Sequence, residues 1–165
     1  MLRAAEERDL ETVRRWRNHP LVREASFTTH EILPAEHARW WAGVRDDPTR
    51  RVLIYGDDPP RGVVTFSGLG GFDRSASWGF YLDLAGLEQD GGLLRAWVGI
   101  ERAALGHAFG VLGLLILHGE VLAANAAVRE LHRRFGFTET SVYHREIDGV
   151  SREVVAIRLD REDAR

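Results

Sequence analysis

A glycine-containing stretch between Leu82 and Phe109 carries the pattern of a phosphate-binding site. A segment typical of a strand ends at "LDL", a loop with the adjacent glycines Gly91 and Gly92 follows, and a segment with helical periodicity begins near Leu94. Backbone N–H groups at the start of a helix attract anions, and glycine lets a phosphate approach the backbone closely. The pattern therefore predicts a phosphorylated ligand, with a flexible surface loop as the alternative.

Two histidines could exchange protons near neutral pH. His37 lies in "AEHARWW" and His132 in "RELHRRFGF", and both segments are typical of helices. An imidazole has an ordinary pKa of about 6.5, so it can accept or donate a proton under physiological conditions. The alternative for His37 is a hydrogen-bonded residue that stabilises its helix, and the alternative for His132 is a solvated residue on an amphipathic helix.

Aromatic and basic side chains could bind a sugar or a nucleobase. Flat aromatic faces hold such rings, and guanidinium groups bind diphosphates or carboxylates. Trp40 and Trp41 are adjacent on one predicted helix, where successive side chains diverge by about 100°, so at most one is expected in the core. The predicted substrate-binding residues are Arg17, Asn18, Arg23, Trp40, Trp41 and Trp78. Core packing is the alternative for Trp78, and solvated helix ends are the alternative for the arginines.

The composition argues against several classes of site and partner. The 165 residues include no cysteine, which excludes disulfides, thiolate metal sites and a cysteine nucleophile. The seven histidines show no zinc-type spacing, so no metal is expected. A formal net charge of −3 has the wrong sign for a nucleic-acid partner. No apolar run could span a bilayer and the charged N-terminus lacks an export signal, so we expect a cytoplasmic protein with no membrane partner.

The order of predicted elements indicates a mixed α/β fold. Helices are expected after Asp9, from Pro34, near Leu94 and after Asn125, and strands are expected in the alternating or continuously apolar segments between them. The order β-α-α-β-β-β-α-β-α-β-β predicts about seven strands and about four helices, in one domain over residues 1–165.

The third predicted helix carries one core-facing stripe. Its members recur at spacings of three and four, the period of a half-buried helix. They are Leu94, Trp97, Val98, Glu101, Ala104, Leu105, Ala108, Phe109 and Leu112.

Two segments of the second half, "ILHGEVLAAN" and "AAVRELHRRFGF", together with the element order, resemble the GCN5-related N-acetyltransferase (GNAT) superfamily, which transfers acetyl from acetyl-CoA to an amine. Segments of the first half are similar to the subgroup that acetylates a nucleotide-linked amino sugar on the pseudaminic-acid pathway. They are "WRNHPLVREASF", "LPAEHARWW", "DDP", "GVVTFSGL", "SWGFYLD" and "AALGHAFGVLGL". The resemblance extends from Leu2 to Leu159. It implies a twisted, mixed, mostly antiparallel sheet that splays between its fourth and fifth strands.

The resemblance also implies catalytic roles. The thioester carbonyl would meet backbone N–H groups of the fourth strand, here from around Tyr81 to Leu84. Many relatives have a tyrosine four residues before the glycine of the closing "GF", where it protonates the departing thiolate, and this chain has His132 there. His37 is the candidate general base, with Glu36 and Glu120 as the alternatives.

Acetyl-CoA is the co-substrate that the resemblance implies. Asn125 would lie near its pantetheine arm and would also cap the following helix. The relatives' diphosphate loop can be placed in two ways: one puts Trp97 where a small residue belongs, and the other uses "QDGGLL" and starts the helix early, with "RAWVG" inside it. The second placement predicts contacts to the co-substrate from Leu82, Asp83, Leu84, Gln89, Gly91, Gly92, Leu93, Leu94 and Asn125.

The predicted function is an N-acetyltransferase that moves acetyl from acetyl-CoA directly to a primary amine, first of all the amine of a nucleotide-linked amino sugar. Acetylation of a protein N-terminus or of an amine on a small antibiotic is an alternative within the superfamily. The atypical loop and His132 indicate a further alternative, a GNAT-like enzyme that has lost acetyl-CoA and performs other small-molecule chemistry in the same cleft. A non-catalytic binding module is a third class, and the sequence leaves open whether the chain forms a homodimer.

Overall fold

Seven strands and six α-helices make up the fold, and the computed structural model describes all 165 residues. The strands are β1 (Leu2–Ala4), β2 (Arg50–Tyr55), β3 (Gly62–Ser67), β4 (Ser75–Leu82), β5 (Ile116–Leu122), β6 (Thr138–Ile147) and β7 (Val150–Asp160). The helices are α1 (Leu10–Arg17), α2 (Pro20–Glu24), α3 (Pro34–Val44), α4 (Leu84–Gln89), α5 (Leu93–Gly106) and α6 (Ala126–Arg134). The predicted strand count is confirmed, and two helices add to the expected four.

The two additional helices, α2 and α4, are each shorter than two turns. Pro20 occupies the first position of α2, where its missing N–H is not needed. The Asp83 side chain caps α4 by accepting a hydrogen bond from the Gly86 amide at 3.2 Å. Helices of five and six residues give almost no periodic signal, so neither segment was among the helices expected from the sequence.

One sheet contains all the strands, in the order β1-β2-β3-β4-β5-β7-β6. Neighbouring strands are antiparallel except β4 and β5, which are parallel. These two strands pair only through residues 75–77 and 116–118, and beyond that point they part. The mixed α/β fold, with a sheet that splays between its fourth and fifth strands, is therefore confirmed.

Helices cover both faces of the sheet. On one face, Val13 and Trp16 of α1 pack against Ile54 and Val63. Because side chains alternate along a strand, the neighbours of these strand residues point to the opposite face, where α4, α5 and α6 pack in the main core. None of the helices combines the length and the apolar character that crossing a bilayer requires.

The buried face of α5 differs from the predicted stripe at its start. Ile100, Glu101 and Ala104 are buried, as are Ala96 and Leu105. The predicted first member, Leu94, is 80% exposed, because the first turn of α5 turns Leu93 and Ala96 inward and leaves Leu94 at the surface.

Candidate active site

A cleft opens where β4 and β5 part. Its volume is about 710 Å³, within the range of about 300–1,000 Å³ that is usual for small-molecule sites. The cleft passes through the sheet, so it has two ends. The α2 end includes Leu21, Glu24, Tyr81, Glu120 and Arg152, and the α5 end includes Trp78, Phe80, Leu93, Trp97, Asn125 and His132.

The backbone of β4 presents free N–H groups to the cleft. The Asp83 amide donates to the carbonyl of Arg61 at 2.8 Å, so the edge that carries this amide faces β3. Backbone groups alternate between the two edges of an antiparallel strand, and the amides of Phe80 and Leu82 therefore face the gap. Of the predicted donors from Tyr81 to Leu84, the strand amide that faces the cleft is that of Leu82.

The Tyr81 side chain lines the α2 end of the cleft. Burial raises the pKa of its hydroxyl well above the ordinary value, while the nearby Arg17 guanidinium lowers it to a smaller extent. The hydroxyl therefore stays protonated at neutral pH. It can donate a hydrogen bond, but it cannot serve as a base there.

His132 and Glu101 form a buried pair at the α5 end. Nδ1 of His132 lies 2.7 Å from Oε1 of Glu101, and the two residues are 5% and 0% exposed. The imidazole packs edge-on against Trp78, with ring centroids 5.6 Å apart, and against Phe80 at 6.1 Å. Two helices and the sheet thus fix the ring at the cleft wall.

Glu101 was not predicted as a functional residue, although the sequence contained a signal for it. It was placed in the core stripe of its helix, where every other predicted member is apolar. A carboxylate at such a position is costly unless it has a partner, so a charged residue in an apolar stripe indicates a specific contact. The identity of that contact depended on the tertiary packing of α5 against α6.

His37 lies outside the cleft, buried where α3 packs on α1. Its ring stacks on Trp40 with centroids 4.9 Å apart. Burial lowers the pKa of His37, and the Arg14 guanidinium lowers it further, so the ring is neutral at pH 7. Of the three predicted base candidates, Glu36 also lies outside the cleft, where it accepts a hydrogen bond from His30, and only Glu120 lines it.

The predicted tryptophans separate into two groups. Trp78 is buried and lines the cleft, stacked between Phe80 at 5.4 Å and Phe137 at 5.7 Å. Trp41 is buried and Trp40 is half-buried, which agrees with the expectation that at most one of the pair lies in the core. Neither of these two lines the cleft, because α3 packs on α1 and β2 at a distance from the gap.

Three predicted substrate-binding residues, one amide and two guanidinium side chains, hold a chain segment and do not line the cleft. Arg17 and Arg23 donate to the backbone carbonyls of Thr28 and Thr29, at 2.8 and 2.7 Å. Asn18 exchanges two hydrogen bonds, of 2.9 and 2.7 Å, with the backbone of Ile32. All three therefore fix the segment between α2 and α3, which follows the α2 end of the cleft.

The glycine loop has the backbone conformation of the second placement. α5 begins at Leu93 with Gly92 at its N-cap, and "RAWVG" lies within the helix. No side chain caps this helix, so the amides of its first turn remain free of side-chain partners. Gly91 has a φ of +65° with open space around it. Leu93 lines the cleft, whereas Gln89 ends α4 away from it.

Two further predicted contacts have structural roles beside the cleft. Leu84 lines the cleft as the first residue of α4. Asp83 caps that helix and lies 3.5 Å from Arg61, which also pairs with Asp90. Arg61 thus offsets the two carboxylates that flank α4.

Asn125 lies at the N-terminus of α6 and lines the cleft. Its Oδ1 accepts a hydrogen bond from the Val128 amide at 3.4 Å, as expected for an N-cap. The amide nitrogen has no partner in the protein, so it remains available to a ligand.

Several lining residues had no signal in the sequence. Glu24, Glu88 and Arg152 come from three separate elements, and only the tertiary fold brings them to one cleft.

No group of three or more histidine, aspartate or glutamate side chains could hold a metal ion.

Comparison with known families identifies the chain. A family model described as an acetyltransferase (GNAT) domain matches residues 1–138. The chain belongs to the GNAT acetyltransferase family. It is therefore an acyl-transferring enzyme, and the predictions of an acyltransferase and of acetyl-CoA as its co-substrate are confirmed.

Solved structures with the same fold include two other GNAT proteins. The spermidine N-acetyltransferase of Vibrio cholerae, in complex with CoA and spermine, has a TM-score of 0.85 and 20% identity, with 99% of this chain and 96% of that chain covered. A proposed phosphinothricin N-acetyltransferase has a TM-score of 0.79 and 22% identity, with 98% of each chain covered. At these identities the likeness establishes the fold. No curated protein matches the chain significantly.

The residues of this GNAT cleft fit acetyl-CoA. The β4 amides of Phe80 and Leu82 and the free Asn125 amide suit the polar pantetheine arm, and the uncapped first turn of α5 suits the diphosphate. Trp97, which packs edge-on against Phe80 at 5.6 Å, lines the cleft one turn inside α5. The residues proposed for each contact remain predictions.

Proposed function

We propose that the protein transfers acetyl from acetyl-CoA to a primary amine of a small molecule, with an amino sugar as the first candidate. The observation that carries the proposal is the arrangement along the β4–β5 gap: free strand amides in the middle, His132 at one end and Glu120 at the other. Each group matches one requirement of acyl transfer to an amine.

The strand amides and His132 serve the acyl donor. Acetyl-CoA, when bound, supplies a thioester with an electrophilic carbonyl carbon. The amides of Phe80 and Leu82 are held by the sheet and aimed at the gap, where they can donate to an oxygen that gains negative charge. His132 has a ring nitrogen, Nε2, with no partner in the protein, and a proton held there can pass to the departing sulfur.

The charges at the α2 end favour a cationic acceptor. Two carboxylates, Glu24 and Glu120, line this end, and Arg152 is its only guanidinium. Glu120 also accepts a hydrogen bond from the Tyr143 hydroxyl, which fixes its position. A carboxylate so held can bind an ammonium group and accept its proton, directly or through water, before the nitrogen attacks.

An amino sugar suits this end because the Tyr81 ring offers a flat face and the carboxylates offer acceptors for hydroxyl and ammonium groups. The charges favour a free amino sugar over a nucleotide-linked one. A diphosphate requires basic partners, and neither Arg17 nor Arg23 lines the cleft. Arg23 and Nη2 of Arg17 donate to backbone carbonyls, and Nη1 of Arg17 is buried without a partner. Polyamines, which the Vibrio cholerae protein acetylates, are also cations and are the second candidate.

A panel of amines tests the proposal. The purified protein is incubated with acetyl-CoA and, in turn, glucosamine, a UDP-linked amino sugar, spermidine, phosphinothricin and a peptide with a free N-terminus. Release of the CoA thiol and the mass of the product are measured together. We expect thiol release that depends on the amine, a product heavier by one acetyl group, and a higher rate with glucosamine than with its UDP-linked form.

Thiol release with none of the amines, from a folded protein that binds acetyl-CoA, would contradict the proposed range of acceptors. Absence of binding as well would instead favour other small-molecule chemistry in this cleft. A product formed only from the UDP-linked sugar would overturn the argument from the charges at the α2 end.

A further inference from the structure

We propose that Glu101 is a positioning residue for His132: its carboxylate accepts the Nδ1 proton of the imidazole and so makes Nε2 the atom through which the ring exchanges a proton with the cleft. The inference rests on the proposed function, because the proposed reaction supplies the departing sulfur that receives the His132 proton. It assigns a role to a residue that otherwise has no explanation in the fold.

The geometry of the pair supports this role. Oε1 of Glu101 lies 2.7 Å from Nδ1 of His132, a strong hydrogen-bond distance. A carboxylate can only accept hydrogen bonds, so the nitrogen facing it must carry the proton. In a neutral imidazole the other nitrogen then carries the lone pair, and the partner of one nitrogen selects the tautomer of the whole ring.

The burial of Glu101 argues against a purely structural role. The residue has no exposed surface, and its Oε2 has no hydrogen-bond partner. An apolar side chain at this position in the α5 stripe would avoid the desolvation of a charge. A buried carboxylate that makes a single hydrogen bond, to a titratable ring on a cleft wall, is the arrangement by which catalytic histidines are oriented.

Other charged groups near His132 are engaged elsewhere. A small second cavity on the far side of His132 is lined by Arg129, Arg133 and Glu139. Arg129 pairs with Glu139 at 2.8 Å, and Arg133 pairs with Glu130. Glu101 is therefore the residue that holds Nδ1, and the remaining contacts of the ring are with Trp78, Phe80 and Phe137.

The proton inventory of the step is balanced. As the nitrogen of the amine bonds to the acetyl carbon, the bond from that carbon to sulfur breaks. The ammonium form of the acceptor first loses one proton to Glu120, which releases it to solvent. The nitrogen then loses a second proton, to Glu120 or to water, as the amide forms, and the sulfur gains one from Nε2 of His132. The imidazole then recovers a proton from solvent, while Nδ1 stays bonded to Glu101 throughout.

Nitrogen NMR of the imidazole tests the inference without any turnover. The protein is labelled with ¹⁵N-histidine, and the ring nitrogens of His132 are followed between pH 6 and pH 10, in the wild type, in Glu101→Leu and in the control Glu153→Leu. Glu153 is a suitable control because it is an exposed carboxylate 4.0 Å from a different histidine, His144.

In the neutral ring of the wild type and of the control we expect the proton on Nδ1 and the lone pair on Nε2. In Glu101→Leu we expect the neutral ring to shift toward the tautomer that is protonated on Nε2. Affinity for acetyl-CoA, measured by calorimetry, should change less than about threefold in Glu101→Leu, because Glu101 does not line the cleft.

Three results would overturn the inference: a wild-type ring whose neutral form carries its proton on Nε2, a ring that keeps both protons through pH 10, or a Glu101→Leu protein with an unchanged tautomer. Failure of acetyl transfer with the amine panel would instead contradict the proposed function. The two failures are distinguishable because the tautomer is observed in the absence of substrate.

Discussion

Two carboxylates lie in opposite surroundings, one lining the cleft and the other behind its wall. Glu101 is fully buried and bonded to His132, whereas Glu120 is exposed to the cleft and bonded to the Tyr143 hydroxyl. Solvent access suits Glu120 for binding a cation that must enter and leave. Burial suits Glu101 for holding one orientation of a ring.

His132→Leu and Glu101→Leu should lower the free energy of unfolding to different extents. His132→Leu leaves the Glu101 charge buried without a partner, which destabilises by about 3–5 kcal/mol. Glu101→Leu removes the charge itself, so its loss in free energy of unfolding should be clearly smaller, and the double variant should recover much of the stability lost in His132→Leu. Urea unfolding measures all three, and equal destabilisation by the two single variants would contradict the account.

Turnover should fall to a similar extent in the two single variants. His132→Leu and Glu101→Leu should each lower kcat by about 10²-fold, the usual contribution of a general acid or base, and the double variant should be no worse than His132→Leu. Steady-state rates with the best amine of the panel provide the measurement. Additive losses in the double variant would show that the two residues act independently.

Glu120→Gln should weaken binding of the acceptor. Hydrogen bonds to charged groups contribute about 1.5–3 kcal/mol, so the KM for the amine should rise by about tenfold or more. The KM for acetyl-CoA should not change, because Glu120 lies at the other end of the cleft. Glu146→Gln, an exposed carboxylate on β6, is the matched control. An unchanged amine KM would remove Glu120 from the acceptor site.

At the residue scale, types of chemistry were easier to predict than contacts. His132 and Asn125 were assigned from their positions at the end and the start of one helix, and both line the cleft. His37, Arg17 and Arg23 have equally suitable chemistry, but their side chains contact neighbouring helices and loop carbonyls. Those partners lie on other segments of the chain, so local sequence could not exclude the three residues from the site.

Among the elements, α6 joins stability to binding through a single residue. Asn125 caps α6 with its side-chain oxygen and leaves its amide nitrogen to the cleft. Asn125→Ala should cost about 1 kcal/mol in the free energy of unfolding, and it should also weaken acetyl-CoA binding. Asn125→Asp keeps a capping oxygen but loses the amide donor, so it should restore stability and leave binding weak.

Thermal unfolding and calorimetry with the two Asn125 variants separate these effects. Restoration of acetyl-CoA affinity in Asn125→Asp would indicate that the cap, and not the amide, supports binding. Full affinity in both variants would remove Asn125 from the site.

The packing of α3 on α1 should depend on pH through His37. Burial lowers the pKa of His37 in the folded protein, so below the ordinary value of about 6.5 the unfolded chain binds the proton more readily. Stability is therefore fully present above that value and decreases as the pH falls toward the lowered pKa of the folded state.

The variant His37→Gln should show a smaller decrease in Tm between pH 7.5 and pH 5 than the wild type does. Some decrease should remain, because burial also lowers the pKa of His107. His144→Gln, at an exposed position of β6, is the control and should follow the wild type. If Tm decreased as much in His37→Gln as in the wild type, the result would contradict the assignment of this pH dependence to His37.

Long, periodic elements could be predicted, and the two short helices could not. Four helices and seven strands follow from periodicity and caps, whereas α4 is six residues long and contains Gly86. Its formation depends on the Asp83 cap and on the contacts of Leu84 and Leu87 with the core, which are tertiary features. The start of α5 at Leu93 could be inferred because Trp97 fitted a buried helix better than a phosphate loop.

For the molecule as a whole, the proposed function depends on a gap in the sheet. β4 and β5 pair over three residues and then part, and this parting frees strand amides and admits a ligand through the sheet. Glycine at position 119 favours close approach beside the gap, because a Cβ atom there would lie 3.0 Å from Ile157 and 3.4 Å from Trp78 and both side chains would have to shift. The resemblance to the GNAT superfamily implied the splay, but the lining of the gap follows from strand register, which the sequence alone did not specify.

Titration of the protein with acetyl-CoA by calorimetry is the most direct test of an acetyltransferase site in this gap. We predict binding of one molecule per chain, and a matching rise in Tm, because ligand at a hundredfold excess over its Kd stabilises the folded state by about 2.7 kcal/mol. Absence of heat and of any shift in Tm at millimolar acetyl-CoA would contradict the account.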